Sequence, residues 1–193
     1  MSEELFIRCC APTMASIKTG NMFTCHFATQ ADMNHHIRMF NRRVRAKGLH
    51  VIPLRYTEGV GLIYVYRPSK LHQDLCSQKA CSLLSERGYA CCHPALCVQH
   101  LRKRLSQTND FPHEIGLFLG YPPDDVEGFI HRKDEAKYTG HWKVYSDVES
   151  AKRTFALYRK CTSAYLNQWT KGRSLERLTV SDPGKAHAPI AAA

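Results

Sequence analysis

His50-Val-Ile-Pro-Leu-Arg-Tyr-Thr57-Glu58-Gly59-Val60-Gly-Leu-Ile-Tyr-Val-Tyr66 is the stretch on which the fold turns. Its two flanks are rich in β-branched and aromatic residues, and Thr57-Glu58-Gly59 between them supplies turn chemistry. The stretch therefore reads as two strands, 50–56 and 60–66, joined in a hairpin. Pro53 lacks a backbone donor, which puts the first strand at an edge or on a bulge. The second strand is apolar on both faces, as a central or doubly covered strand is.

Working toward the N-terminus, Met33, Ile37, Phe40 and Val44 form one stripe of an amphipathic helix. Thr29 and Asp32 fit a capping box at its start, and Gly48 fits its end. Residues 21–27 alternate as a strand. Residues 2–9 form a short helix, and Pro12 opens another over 13–18 before Gly20. Toward the C-terminus, Pro68-Ser69 opens a helix running to Arg87 and closed by Gly88, and His93-Pro94 opens one to Leu105. Two short helices flank Gly120-Tyr121-Pro122-Pro123, one over 111–119 capped by Asp110 and one over 123–130. A strand fits 140–146. Asp147 then caps the longest helix, whose stripe is Val148, Ala151, Phe155, Tyr158, Thr162, Tyr165 and Trp169, and Gly172 ends it. The expectation is a single α+β domain over 1–180, with a small mixed sheet of about four strands, several packing helices and a long C-terminal helix. Residues 181–193 read as a disordered tail.

The chain has 193 residues, 44% of them apolar and 23% charged, so it can bury a full core without disulfides or metal. Stapled mini-scaffolds and disordered chains are excluded. Nine cysteines, including the adjacent pairs Cys9-Cys10 and Cys91-Cys92, do not resemble a disulfide framework. With no signal-like start and no apolar run near the ~18 residues that span a bilayer, they point to reduced thiols and a cytoplasmic location. The net charge of +10 is densest at Arg38, Arg42, Arg43, Arg45 and Lys47, on the helix over 30–47. That cluster reads first as a solvated face complementing the helix dipole; weak nucleic-acid binding is its alternative.

Candidate chemistry falls into three groups. Cys92, His93, Cys97 and His100 are the nearest approach to a soft-metal site for iron or zinc, although no Cys-x2-Cys pair announces one; inert buried thiols compete with it. Cys10, ahead of a helix start, is a candidate thiolate nucleophile, and His113-Glu114 a candidate acid-base pair. The missing second histidine at Leu117 excludes a zincin helix, and a capping or packing role competes for His113 and Glu114. Lys18, Arg67, Tyr121, Trp142, Lys143 and Tyr145 offer cations and aromatic faces for a planar anionic ligand such as a flavin or nucleotide, or equally cover core edges.

Several segments also carry a family resemblance. They are Cys10-Ala-Pro-Thr-Met-Ala-Ser-Ile-Lys-Thr19, Leu62-Ile-Tyr-Val-Tyr-Arg-Pro-Ser69, Phe111-Pro-His-Glu-Ile-Gly-Leu-Phe-Leu-Gly-Tyr-Pro122 with Asp125-Val-Glu-Gly-Phe129, Trp142-Lys-Val-Tyr145 and Gly172-Arg-Ser-Leu-Glu-Arg-Leu-Thr-Val180. Over residues 5–180 the chain resembles the bacterial domain-of-unknown-function family 3793. The resemblance implies an uncharacterised protein of anaerobic bacteria, associated with iron or redox metabolism. Relatives carry extra cysteines before the Trp-Lys segment, where this chain has Lys137, Tyr138, Thr139 and His141, which weakens any metal site carried over. The combined expectation is a metal- or small-anion-binding accessory protein with no membrane insertion; the alternatives are an enzyme using the Cys10 thiolate or the His113/Glu114 pair on an anionic substrate, and a weak nucleic-acid binder through the helix over 30–47.

Overall fold

The computed structural model describes residues 1–107 and 111–182. β2 (His50–Thr57) and β3 (Val60–Tyr66) form the expected hairpin, with Thr57 opposite Val60. Its two loop residues, Glu58 and Gly59, have φ of 50° and 79°. Positive φ at both positions is what a tight primed turn requires, and it matches the right-handed twist of the strands. β1 (Gly20–His26) pairs antiparallel with the other side of β3, giving the order β1-β3-β2. Pro53 is therefore on an edge strand, and the register slips between Pro53 and Arg55. Both consequences of its missing donor occur together.

Alternation along β3 distributes its side chains between two cores. Ile63 and Val65 face Phe6, Ile7, Cys10 and Met14 of α1 (Glu3–Met14) and Met33, Ile37, Phe40 and Val44 of α2 (Gln30–Val44). Leu62 and Tyr64 face the opposite layer, built by α3 (Pro68–Leu75), α4 (Gln78–Ser85), α5 (Pro94–Gln107), α6 (Ile115–Phe118) and α7 (Pro123–His131). A strand buried on both faces has no polar row, which is why its sequence is apolar throughout.

The α+β reading holds, with its strands partitioned differently. Three of the four expected strands make one sheet. The fourth is reduced to β5 (Lys143–Val144), paired with β4 (Tyr138–Thr139) in a separate ribbon. The two N-terminal helices expected around Pro12 are one: α1 runs through Pro12, which sits near its C-terminal end. The lost donor there removes little, and the continuous stripe Phe6, Ile7, Cys10, Met14 carries the helix. The helix expected over 68–87 is two. It breaks at Cys76-Ser77, where Ser77 takes an extended N-cap conformation and its hydroxyl bonds Asp74 O at 2.8 Å. The helix expected over 111–119 is only α6, and its expected cap, Asp110, lies outside the described residues.

α8 (Val148–Thr170) packs along α1 and presents the expected stripe to two different neighbours. Ala151, Phe155 and Tyr158 join a small core with Trp142 and Val144, whereas Tyr165 and Trp169 lean on the α1 side. Asp147 caps it, accepting from Ser150 N at 2.9 Å. Asp147→Ala is expected to cost about 1 kcal/mol, read as a small fall in the urea midpoint with an unchanged slope.

Arg67, just after β3, is completely buried. Its guanidinium donates to Thr13 O (2.6 Å), Met14 O (2.7 Å), Val180 O (2.7 Å), Lys47 O (3.2 Å) and Asp182 Oδ1 (2.6 Å). It thus joins the end of α1, the 3-10 turn Arg45–Lys47 and the segment following α9 (Leu175–Leu178). Ser181 and Asp182 belong to the stretch read as a tail, yet Asp182 is fixed here. Residues 183–193 lie outside the described residues.

Candidate functional site

The turn from α1 into β1 presents Lys18. Ile17 N and Lys18 N both donate to Pro12 O, at 3.0 and 3.2 Å, drawing the chain back over the helix end. Lys18 is only 7% exposed. Its Nζ lies 5.3 Å from the centre of the Tyr121 ring and 5.7 Å from that of Tyr158. Two aromatic faces therefore attract the ammonium. Among the described residues no hydrogen bond or carboxylate pairs with it. Burial pushes its pKa down to about 8, against a smaller upward pull from Cys10.

Tyr121 is set by Gly120 before it and Pro122-Pro123 after it. Gly120 has φ +74°, and a Cβ there would fall 2.7 Å from Thr19 Oγ1. Thr19 in turn donates to Asp74, whose carboxyl is held above its usual range by burial. The Tyr121 hydroxyl reaches His141 O at 3.3 Å, and its ring stacks on Trp142 with centroids 4.8 Å apart. Burial raises the Tyr121 and Tyr158 hydroxyls to about 12, so both remain protonated. His141 sits edge-on to Tyr158 at 5.7 Å; desolvation first, then Lys18 and Arg159, lower its pKa.

Trp142 is anchored from behind. Its Nε1 donates to Asp125 Oδ2 at 2.7 Å, while Asp125 Oδ1 accepts from Tyr145 N, Ser146 N and Ser146 Oγ, each at 2.8 Å. Burial alone would raise this carboxyl's pKa, but these bonds prevail and lower it. Trp142 borders two cavities. One of about 170 Å³ is lined by His113, Phe129, Trp142, Lys143 and Tyr121. The other, about 450 Å³, is lined by Ile17, Gly120, Trp142, Thr154 and Tyr158 together with Asp125 and Asp147; Lys18 adjoins it through Ile17 and Tyr158 without lining it. Only the larger reaches the size usual for small-molecule sites.

The candidate residues thus divide. Lys18, Tyr121 and Trp142 converge, and His113 and Lys143 line the smaller cavity behind them. Arg67 does not join them, since main-chain carbonyls and Asp182 occupy its guanidinium. Tyr145 is buried, with its hydroxyl on Lys133 O at 2.9 Å. Tyr158, Thr19, Asp74 and His141 belong to the neighbourhood without having stood out in the sequence. Tyr158 was visible there only as one member of the α8 stripe.

The candidate nucleophile Cys10 lies inside α1, fully buried, and burial raises its pKa far above the ordinary thiol value. A neutral, enclosed thiol is a poor nucleophile. His113 and Glu114 do not act on each other. The Glu114 carboxylate is buried and bonded to Tyr89 Oη (2.8 Å) and Arg104 (2.7 Å), whereas His113 turns edge-on to Phe129 at 4.9 Å.

The four candidate metal ligands do not share a coordination sphere. Cys97 donates its thiol to Ala90 O at 3.0 Å, the His100 ring stacks on Tyr89 at 4.3 Å, and His93 is exposed. Cys92 is exposed, and Cys76 Sγ lies 3.6 Å from His72 Nδ1. Among the described residues, no group of three or more His, Cys, Asp or Glu side chains is arranged to hold a metal ion. Contrary to the expectation of wholly reduced thiols, Cys81 and Cys91 form a disulfide with Cα atoms 5.4 Å apart.

Part of the basic helix is also committed. Arg43 pairs with Glu3 and Glu176, and Lys47 donates to Thr179 O at 2.8 Å and to Glu176 O. Arg38, Arg42 and Arg45 remain along an open depression with Asn41 and Ala46. No helix among the described residues is long and apolar enough to cross a membrane.

No curated protein matches the chain, and no solved structure does. The family described as "Protein of unknown function (DUF3793)" matches residues 6–179, and the chain belongs to that family.

Proposed function

We propose that the protein is a binding module for a small anionic ligand, seated in the cavity lined by Ile17, Trp142 and Tyr158, where Tyr158 has the Lys18 ammonium over its ring. The observation that carries this reading is Lys18, a largely buried residue whose ammonium lies over two tyrosine rings and is paired with no carboxylate among the described residues. Burying an unpaired charge is costly, and an anion placed against it removes that cost. Trp142 and Tyr158 provide aromatic walls for a planar group. A ligand that combines a ring with a carboxylate or phosphate fits both features. The site supports capture more readily than catalysis, since the candidate nucleophile is enclosed and the candidate acid-base pair is divided between separate environments. The metal alternative has less support than the anion. A place in iron or redox metabolism stays with this proposal and rests on the family resemblance.

Titration with flavin mononucleotide and with inorganic phosphate, followed by Trp142 fluorescence and thermal unfolding, tests the reading. At least one probe is expected to raise the unfolding temperature and alter the fluorescence, and Lys18→Met to weaken that probe about tenfold or more, the worth of a charge-assisted hydrogen bond. If neither probe binds, or Lys18→Met binds as well as the unaltered protein, the assignment is wrong.

A further inference from the structure

The smaller cavity beside Trp142 has apolar walls and a cationic rim. Tyr121, Phe129 and Trp142 supply aromatic faces, and Ile115 and Val126 aliphatic ones, around about 170 Å³. Two contacts shape it. Gly116 lets α6 close on α7, since a Cβ there would fall 2.8 Å from Val126 Cγ2 and 3.0 Å from Tyr121 Cδ2. Trp142 is pinned by its bond to Asp125 Oδ2 at 2.7 Å. Asp125 is the one carboxylate among the described lining residues, and both its oxygens are engaged, by Trp142 Nε1 on one side and by Tyr145 N, Ser146 N and Ser146 Oγ on the other. Toward solvent, His113 is exposed and Lys143 half-buried, and both line the cavity. Lys143 Nζ lies 5.9 Å from the centre of the Phe129 ring and donates to Lys133 O at 3.1 Å, while Lys133 Nζ lies 5.7 Å from the same ring centre. Among the described residues neither ammonium is paired with a carboxylate. The His113 ring stands edge-on to Phe129 at 4.9 Å.

We propose that this cavity is a second ligand site, taking the ring of a small aromatic carboxylate whose charge is held at the rim by Lys143 and His113. The site is independent of the reading centred on Lys18. An apolar cavity of about 150 Å³ suffices for benzene, so the space beside Trp142 admits a single six-membered ring and not the fused rings of a flavin. Aromatic walls favour an aromatic occupant, through edge-to-face and offset-stacked contacts. The carboxylate stays outside the apolar space, where its burial would be costly, and meets an ammonium that the protein leaves without a counter-charge. Lys133 adds a second positive charge around the same phenylalanine, and His113 offers a ring N–H. A neutral arene satisfies only the walls and acetate only the rim; an aromatic carboxylate satisfies both.

The test follows binding of benzoate to the whole chain by saturation-transfer NMR, with acetate and toluene as probes that each keep one half of the ligand. Benzoate is expected to bind about tenfold or more tightly than acetate, because burying the ring is worth at least that factor. Lys143→Met is expected to weaken benzoate about tenfold while toluene binds at least as well as before, since only the charged half loses its partner. Ile115→Trp, which fills the cavity, is expected to abolish binding of both. Variants are first matched to the parent by circular dichroism; should Ile115→Trp fail to fold, Lys143→Met and the three probes on the parent decide. The proposal is overturned if benzoate binds no better than acetate, or if Lys143→Met binds benzoate as the parent does. Weakening by Lys18→Met in place of Lys143→Met would put the ring in the larger cavity, which overturns this site and leaves the reading at Lys18 standing.

Discussion

Replacing Arg67 by methionine is expected to destabilise the protein by about 3–5 kcal/mol, the cost of breaking a buried, hydrogen-bonded ion pair by removing one partner. With a urea slope of about 2 kcal/mol/M, the midpoint should fall by about 2 M. The loss arises because the Asp182 carboxylate and the carbonyls of Thr13, Met14, Lys47 and Val180 together lose one planar donor. Arg67→Lys should recover little, since an ammonium has three donors and lacks the fork that spans these acceptors. Asp182→Asn keeps one acceptor oxygen, for Arg67, and turns an amide donor toward the Ser69 hydroxyl that bonds Asp182 Oδ2 at 2.7 Å in the parent, and should cost less. A methionine variant within about 1 kcal/mol of the parent would contradict this account.

Lys18→Met is expected to do the opposite and stabilise the ligand-free protein. The folded-state pKa of about 8 lies below the ordinary lysine value of 10.5, so between these values the unfolded chain holds a proton that the folded chain has released. Where the unfolded state binds more protons, stability rises with pH. Below about pH 8 both states are charged, and the folded one carries the whole penalty, about 3 kcal/mol for such a shift. At about pH 7 the variant should therefore be more stable by about 2–3 kcal/mol, less whatever attraction the two tyrosine rings supplied. The advantage should disappear as pH climbs through the window to about 10.5. Urea unfolding of both proteins at several pH values measures the difference directly, with the other titrating groups common to both. A saturating anion should narrow the gap at about pH 7 by restoring the parent's charge balance. A variant less stable than the parent at every pH would refute the explanation.

The sheet was legible because its signals are local. Glu58-Gly59 specifies a tight turn, Pro53 marks an edge, and the two-faced apolar run of β3 demands cover on both sides. The α8 stripe was legible for the same reason. The break at Ser77 was not, since a serine within an otherwise helical pattern becomes a cap only when neighbouring helices require the chain to turn. Pro12 misled in the other direction, because packing of Phe6, Ile7, Cys10 and Met14 outweighed one missing donor. At the candidate site, Lys18, Tyr121 and Trp142 were visible as residue types, but their convergence depends on packing of segments more than a hundred positions apart. Arg67 and Glu114 resembled site residues for a simple reason. A charged side chain beside aromatics looks alike in sequence whether it faces solvent or is consumed by carbonyls and tyrosine hydroxyls inside.

The Arg67 node also bears on the order of events during synthesis. Arg67 is made 115 residues before Asp182, the carboxylate that completes its pairing. A ribosome emits the chain from its N-terminus at about 5–20 residues per second, so the β hairpin and the helices up to α7 emerge while this guanidinium still lacks its counter-charge. Hydrated, it resists burial until the Val180–Asp182 segment arrives. Closure of the α1, α2 and β3 core is thereby tied to synthesis of the Val180–Asp182 segment, and a nascent chain halted before Val180 should remain open to protease at the end of α1.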